Sequence, residues 1–333
     1  MSKGTRIGLA VLAIAAVTFI GCARSSRRPA TMPAGGPPAA YWTLSERGIK
    51  SELIVHLKAA PRVLVLGGSR ALRIDPAVIR RLTGLTAFNA AVEHATPQDE
   101  WCFVNLLHRR FPHARFAVLW VVHCDELDQF APGASLLEDP FLSRFLPAPF
   151  VDASLDRLGR SAATAALAAG ALHPSVIAPD GFTLSDSISA AARQGTLAAR
   201  VARYTAGTLS FYRHTPPRFE AQPRHYFELT VRLLNDLGVR PVIVLAPLQP
   251  RYLAAIAHHG WNVRHRLMLA WLRRLARIDR FSLLDFSRLS SIGGSPAGFY
   301  DAVHLRPTTA ALLVAAVVHD LPHPFALSRA SAS

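Results

Sequence analysis

Only three cysteines, Cys22, Cys102 and Cys124, occur in 333 residues. Neither they nor the histidines at His94, His123 and His258-His259 fall at ligand spacing, which argues against a zinc-type site, and no metal or cofactor is expected. Acidic residues are scarce, 22 against 37 lysines and arginines, so the formal net charge is +15 and anionic surroundings are favoured. The basic residues are scattered, as at Arg80-Arg81, Arg109-Arg110 and Arg273-Arg274, and no recognition motif accompanies them, so no nucleic-acid partner is expected. Phospholipid headgroups or an anionic envelope polymer suit such a distributed field, as does a plain solvated arginine-rich surface. No Gly-x-Gly-x-x-Gly and no phosphate-loop lysine is present, which argues against nucleotide binding. There is no internal repeat, and the 24 prolines and 20 glycines are spread rather than massed. Half of the residues are hydrophobic, enough for one large α/β domain or a domain with a sizeable insertion.

The longest apolar run, Ile7 to Ile20, holds 14 residues, short of the about 20 that cross a hydrocarbon core as a helix. With Lys3 and Arg6 before it and Gly21-Cys22 after it, the run has the grammar of a signal peptide over residues 1–21. Phe19-Ile20-Gly21-Cys22 resembles the bacterial lipobox, although Phe19 stands where an aliphatic is usual. That resemblance implies a lipidated Cys22 and a membrane-anchored lipoprotein of the bacterial cell envelope. Residues 22–45, with Ser25-Ser26-Arg27-Arg28 and Pro37-Pro38, cannot bury apolar surface and read as a flexible tether. Cys102 and Cys124 are then left as a disulfide or as two buried thiols.

The folded part spans 46–325, and 326–333 reads as a loose tail. Arg62 to Leu66 is an apolar run of the kind a buried parallel strand needs. Helical spacing follows from Ala71 to Leu82, interrupted by Pro76. Strands are expected at Leu85 to Phe88, Phe116 to Val122, Pro241 to Ala246 and Ser282 to Phe286. Helices are expected at Pro97 to Arg110, Tyr226 to Leu237, Trp261 to Ile278 and Thr308 to Leu321. This alternation predicts a mostly parallel sheet with helices on both faces. From about 131 to 224 the pattern shifts to Pro-rich turns and alanine-rich pieces such as 162–172 and 188–206, which predicts an inserted helical cap.

Two short stretches carry chemistry. Gly67-Gly68-Ser69 lies on the turn after the first strand, where a serine is lifted to the sheet's carboxyl edge and backbone N–H groups point at a forming oxyanion. A simple tight turn has the same pattern. Asp301-Ala302-Val303-His304 lies between the last strand and the last helix, spaced so that a carboxylate can orient an imidazole. A surface histidine beside a helix cap fits that spacing equally.

Together the two stretches resemble the end blocks of the SGNH (GDSL-like) hydrolases, over about residues 60–320. The resemblance implies an α/β three-layer sandwich of SGNH or flavodoxin-like type, with Ser69 as nucleophile, His304 as general base and Asp301 as its orienting group. The middle blocks depart from the family. Asn89-Ala-Ala-Val-Glu-His94 occupies the place of the Asn-x-Gly-x-x-Gly-like stretch, and Val122-His123-Cys124-Asp125 replaces Gly-x-Asn-Asp, so the oxyanion-hole amide is missing at Cys124. Ser69 through its backbone, Asn89 and His94 are the remaining oxyanion candidates. Asp180-Gly181-Phe182 and Ala246 to Pro250 look like the envelope-associated branch, whose members move or remove acyl groups on surface polymers. The expectation is therefore an exported serine esterase or O-acyltransferase acting on an acylated envelope glycan or lipid. The alternative is a non-catalytic envelope binding or assembly protein on the same scaffold.

Overall fold

The computed structural model describes residues 45–128, 132–158 and 175–325. The expected signal peptide, Cys22, the tether up to residue 44, the cap helix at 162–172 and the tail at 326–333 lie outside the described residues.

Five strands, β1 (Val63–Gly67), β2 (Ala87–Asn89), β3 (Ala117–Val122), β6 (Val242–Leu245) and β7 (Ser282–Asp285), form one all-parallel sheet in the order β2-β1-β3-β6-β7. The central strands β1, β3 and β6 are wholly buried, as continuous apolar runs covered on both faces must be. The pleat splits them between two cores. Leu64, Leu66, Val118, Trp120 and Ile243 face α3 (Pro97–Arg110), α9 (Ala221–Asp236) and α11 (Asn262–Leu275). Val63, Val65, Leu119, Val121 and Val244 face α2 (Pro76–Thr83) and α12 (Pro307–Asp320). The result is a three-layer α/β sandwich, with Trp120 stacked on Phe227 of α9 at 4.4 Å between centroids. The strand order reverses between β1 and β3, so the crevice at their carboxyl ends is the natural ligand position.

Several expected boundaries are corrected. The helix expected from Ala71 begins at Pro76, because an interior proline would lose an N–H bond and strike the carbonyl four residues earlier. Asp75 caps it, accepting Ala77 N–H at 2.7 Å. The helix expected from Tyr226 begins at Ala221, since Pro223 falls in the first turn, where N–H groups have no helical partner. Three helices outside the insertion were not expected: α1 (Glu46–His56), capped by Ser45, α4 (Cys124–Asp128), and α10 (Pro250–Ile256), capped by Gln249, whose Oε1 accepts Arg251 N–H at 2.7 Å. Gly260, at φ 108, separates α10 from α11.

The insertion also departs from an all-helical cap. Besides α5 (Ala134–Leu137) and α6 (Ala148–Leu158), it holds an antiparallel pair, β4 (Val176–Ile177) and β5 (Thr183–Ser185). Val176, Ile177 and Thr183 are β-branched and flank a Pro-Asp-Gly turn with Gly181 at φ 80, which is hairpin chemistry. The helix expected over 188–206 is two, α7 (Ser187–Ala191) and α8 (Leu197–His214), divided by Gly195 at φ 67 and Thr196, whose hydroxyl caps Ala199 N–H.

Candidate active site

β1 ends at Gly67, which has φ 134 and lies so close to the Val121 carbonyl that a Cβ would collide with it. Only glycine can turn the chain there. The following residues form a 3-10 turn, Ser69–Ala71, closed by Ala71 N–H on the Gly68 carbonyl at 2.9 Å. Its first N–H groups have no partner inside the turn, so the Ser69 amide keeps its place as an oxyanion candidate.

The second stretch is a pinched loop. Phe299 and Leu305 form an antiparallel bridge, Tyr300 N–H donates to the His304 carbonyl at 2.8 Å, and Arg306 N–H to Gly298 at 2.9 Å. At the tip, Asp301 Oδ1 accepts Val303 N–H at 2.9 Å and His304 N–H at 3.0 Å. Its Oδ2 lies 2.7 Å from His304 Nδ1, and His304 Nε2 lies 2.8 Å from Ser69 Oγ. Burial acts to raise the Asp301 pKa, but the neighbouring His304 and these hydrogen bonds outweigh it and hold the carboxyl below its ordinary value. An ionised carboxylate only accepts, so Nδ1 carries the proton and Nε2 is left to accept from the Ser69 hydroxyl. Serine, imidazole and carboxylate thus stand in the order of a hydrolase triad.

Asn89 is placed differently from the expectation. Its side chain is fully buried, and its Nδ2 donates to the carbonyls of Ala71 at 2.9 Å and Ile74 at 2.8 Å, while Oδ1 accepts Ala91 N–H at 2.9 Å. Both amide hydrogens are spent on the chain that follows Ser69. Asn89 is therefore a brace for the nucleophile turn and is withdrawn as an oxyanion donor. His94 stands at φ 50, and its carbonyl accepts Arg47 Nη2 at 3.1 Å. Desolvation, then Arg47 and His304, lower its pKa, so its ring lies within electrostatic reach of His304 as a neutral imidazole. Cys124, at the missing amide, is buried with its thiol 3.7 Å from Asp125 Oδ1, and burial and Asp125 raise its pKa. Cys102 and Cys124 are both free thiols.

Three groups, Glu126, Tyr204 and Arg200, carried no sequence signal, and His123 carried one without a role. Glu126 of α4 accepts backbone N–H groups of His123 and Gly68, and a side chain at Gly68 would come within 3.0 Å of its Oε1. Burial pushes Glu126 up to about 8, and burial with Arg70 holds His123, 3.2 Å from it, down to about 4. Both are neutral near pH 7 and lie in contact beneath the nucleophile turn. Tyr204 of α8 sets its ring edge-on to His304 at 6.3 Å, so the insertion forms one wall of the site. Arg200 Nε donates to the Tyr300 carbonyl at 2.6 Å and ties the same helix to the His304 loop. Only their spatial neighbours mark Glu126, Tyr204 and Arg200.

Among the described residues, Glu46, Glu93 and Asp186 are grouped closely enough to hold a cation. Arg73 lies 2.6 Å from Asp186, Lys50 is buried beside Glu46 and Asp186, and burial with the two neighbouring carboxylates pushes Glu93 up to about 7. That charge is already balanced by side chains.

No protein-family model matches the chain, and no curated protein matches it. The chemistry of the site therefore rests on its own geometry.

Proposed function

We propose that this chain is a divergent SGNH-like serine esterase or O-acyltransferase, exported to the cell envelope, acting on an acylated glycan or lipid. The observation that carries this reading is the contact of His304 Nε2 with Ser69 Oγ at 2.8 Å, 235 residues apart in sequence, with Asp301 on the other ring nitrogen. In the proposed reaction Ser69 Oγ attacks the ester carbonyl while its proton passes to His304 Nε2. The tetrahedral adduct collapses, the leaving alkoxide takes that proton, and an acyl-Ser69 ester remains. Water or a sugar hydroxyl then attacks the acyl carbon, gives its proton to His304, and frees Ser69 as a hydroxyl. Acetyl is one acyl group that this reading admits. The apolar run ending in Gly21-Cys22 supports export with a lipid anchor on Cys22, and the +15 charge supports anionic surroundings.

A non-catalytic scaffold is favoured by two observations: a thiol at Cys124 where an amide is needed, and an Asn89 amide already spent. The readings part on one experiment. Ser69→Ala is expected to abolish hydrolysis of p-nitrophenyl acetate and labelling by a fluorophosphonate; equal rates and no labelling of the native chain leave the scaffold reading alone.

A further inference from the structure

A pocket of about 940 Å³ opens beyond the carboxyl ends of β6 and β7, walled by the α10–α11 junction and the segment after β7. None of Ser69, Asp301 and His304 lines it. Its back wall is Trp261 stacked on His265, 4.6 Å between centroids and 12° apart. His265 Nε2 is held 3.0 Å from Asp285 Oδ2, and the Ser287 hydroxyl lies 3.4 Å from the same nitrogen. Arg266 and Arg288, both exposed on the wall, outnumber the single carboxylate of Asp285.

The pocket reaches toward the candidate active site, although Ser69, Asp301 and His304 line neither it nor the cleft beside it. A narrow cleft lined by Arg70 and His123 shares Leu248, Trp261, His265 and Ser287 with it, so it runs up to the residue after Ser69. Gln249, which follows Leu248, donates its N–H to the Ala302 carbonyl at 3.0 Å, in the middle of the Asp301–His304 loop.

We propose that this pocket is a subsite for an acidic sugar residue, bearing a carboxylate or a phosphate, of the glycan whose ester Ser69 handles. The assignment of that ester rests on the function proposed above; the binding does not. His265, lying flat on the buried Trp261, gives the wall a planar face with the Ser287 hydroxyl and the Asp285 carboxylate beside it, which suits a ring with one apolar face and a hydroxylated rim. Two exposed guanidiniums supply the planar forks that recognise carboxylate or phosphate. The volume is at the upper end of that of small-molecule sites, room for more than one ring.

The test uses the full chain carrying Ser69→Ala, titrated by tryptophan fluorescence with digalacturonate, mannose 6-phosphate, the neutral methyl ester of digalacturonate, maltose and adenosine monophosphate. At least one acidic sugar is expected to bind about tenfold or more tighter than the neutral ones, and Arg266→Gln with Arg288→Gln to weaken it by about tenfold or more. Arg109→Gln, in the exposed last turn of α3 and not among the residues lining the pocket, is expected to keep it. Binding of neutral and acidic sugars alike, no binding by any sugar, binding of the nucleotide alone, or binding indifferent to both arginines overturns the proposal. Hydrolysis of p-nitrophenyl acetate by the native chain is read separately. Its absence with sugar binding intact sinks the esterase reading and leaves the subsite.

Discussion

Three donors converge on the Asp301 carboxylate: the amides of Val303 and His304 and the imidazole Nδ1. The two amides fix the carboxylate without help from the ring, so Asp301→Asn should keep the loop's shape while presenting an amide N–H or a neutral oxygen to Nδ1. The wrong tautomer of His304 then faces Ser69, and kcat on a small ester is expected to fall about 10³ to 10⁴-fold with KM little changed. A loss under tenfold would show that the carboxylate does not set the tautomer. Glu126 makes a second case. Its pKa rises from about 4.3 in an unfolded chain to about 8 in the buried pair with His123. Between those values the folded state holds a proton that the unfolded state has released, so stability falls as pH rises, by about 1.4 kcal/mol per pH unit at most. Glu126→Gln keeps an oxygen acceptor for Gly68 and removes that titration. It is expected to match the native chain near pH 4 and to exceed it by roughly 1 to 4 kcal/mol at pH 8 in urea unfolding; parallel stability curves would refute the raised pKa. At this scale Ser69, Asp301 and His304 were legible because their neighbours in sequence, a glycine pair and a proline-started helix, define a turn and a loop. Asn89 was misread because an amide's function depends on which carbonyls surround it, and those of Ala71 and Ile74 lie 15 or more residues away.

Short elements hold the insertion to the sheet. The turn between β4 and β5 lies on the end of β2, where Asn89 N–H donates to the Asp180 carbonyl at 2.9 Å. Gly181, at φ 80, approaches the Asn89 carbonyl so closely that a Cβ would overlap it. Gly181→Ala is therefore expected to cost about 1 to 3 kcal/mol. Because Asn89 also braces the chain after Ser69, ester hydrolysis should fall along with the melting temperature. A variant as stable and as active as the native chain would mean that this contact is dispensable. The hairpin itself was hard to read, since two-residue strands contain too little alternation to stand out in an alanine- and proline-rich stretch. The long elements were easier: Pro97 in a first turn announces α3, to which the structure adds a Thr96–Asp99 capping box, and the boundaries of α3 and β3 fall within a residue of the expectation. Proline decided the errors at α2 and α9, where its tolerance in a first turn was underused.

At the scale of the whole molecule, the proposed export and lipid anchor on Cys22 make a prediction of their own. If Cys22 carries lipid, the native chain should incorporate labelled palmitate and partition with membranes, and Cys22→Ser should lose both; a soluble, unlabelled native chain would dismiss the anchor. The amino-acid order determined the fold class by itself, because uninterrupted apolar strands alternating with capped amphipathic helices have few ways to bury both faces other than a parallel sheet between helix layers. It also marked a serine and an Asp-x-x-His pair at the sheet's carboxyl edge. Only the folded chain decided that these meet at 2.8 Å, that Asn89 turns inward, that Glu126 and His123 sit neutral under Gly68, and that a basic pocket adjoins Arg70. Local order follows from propensity and periodicity along the chain, whereas those facts depend on distances between segments that strand order and packing alone set.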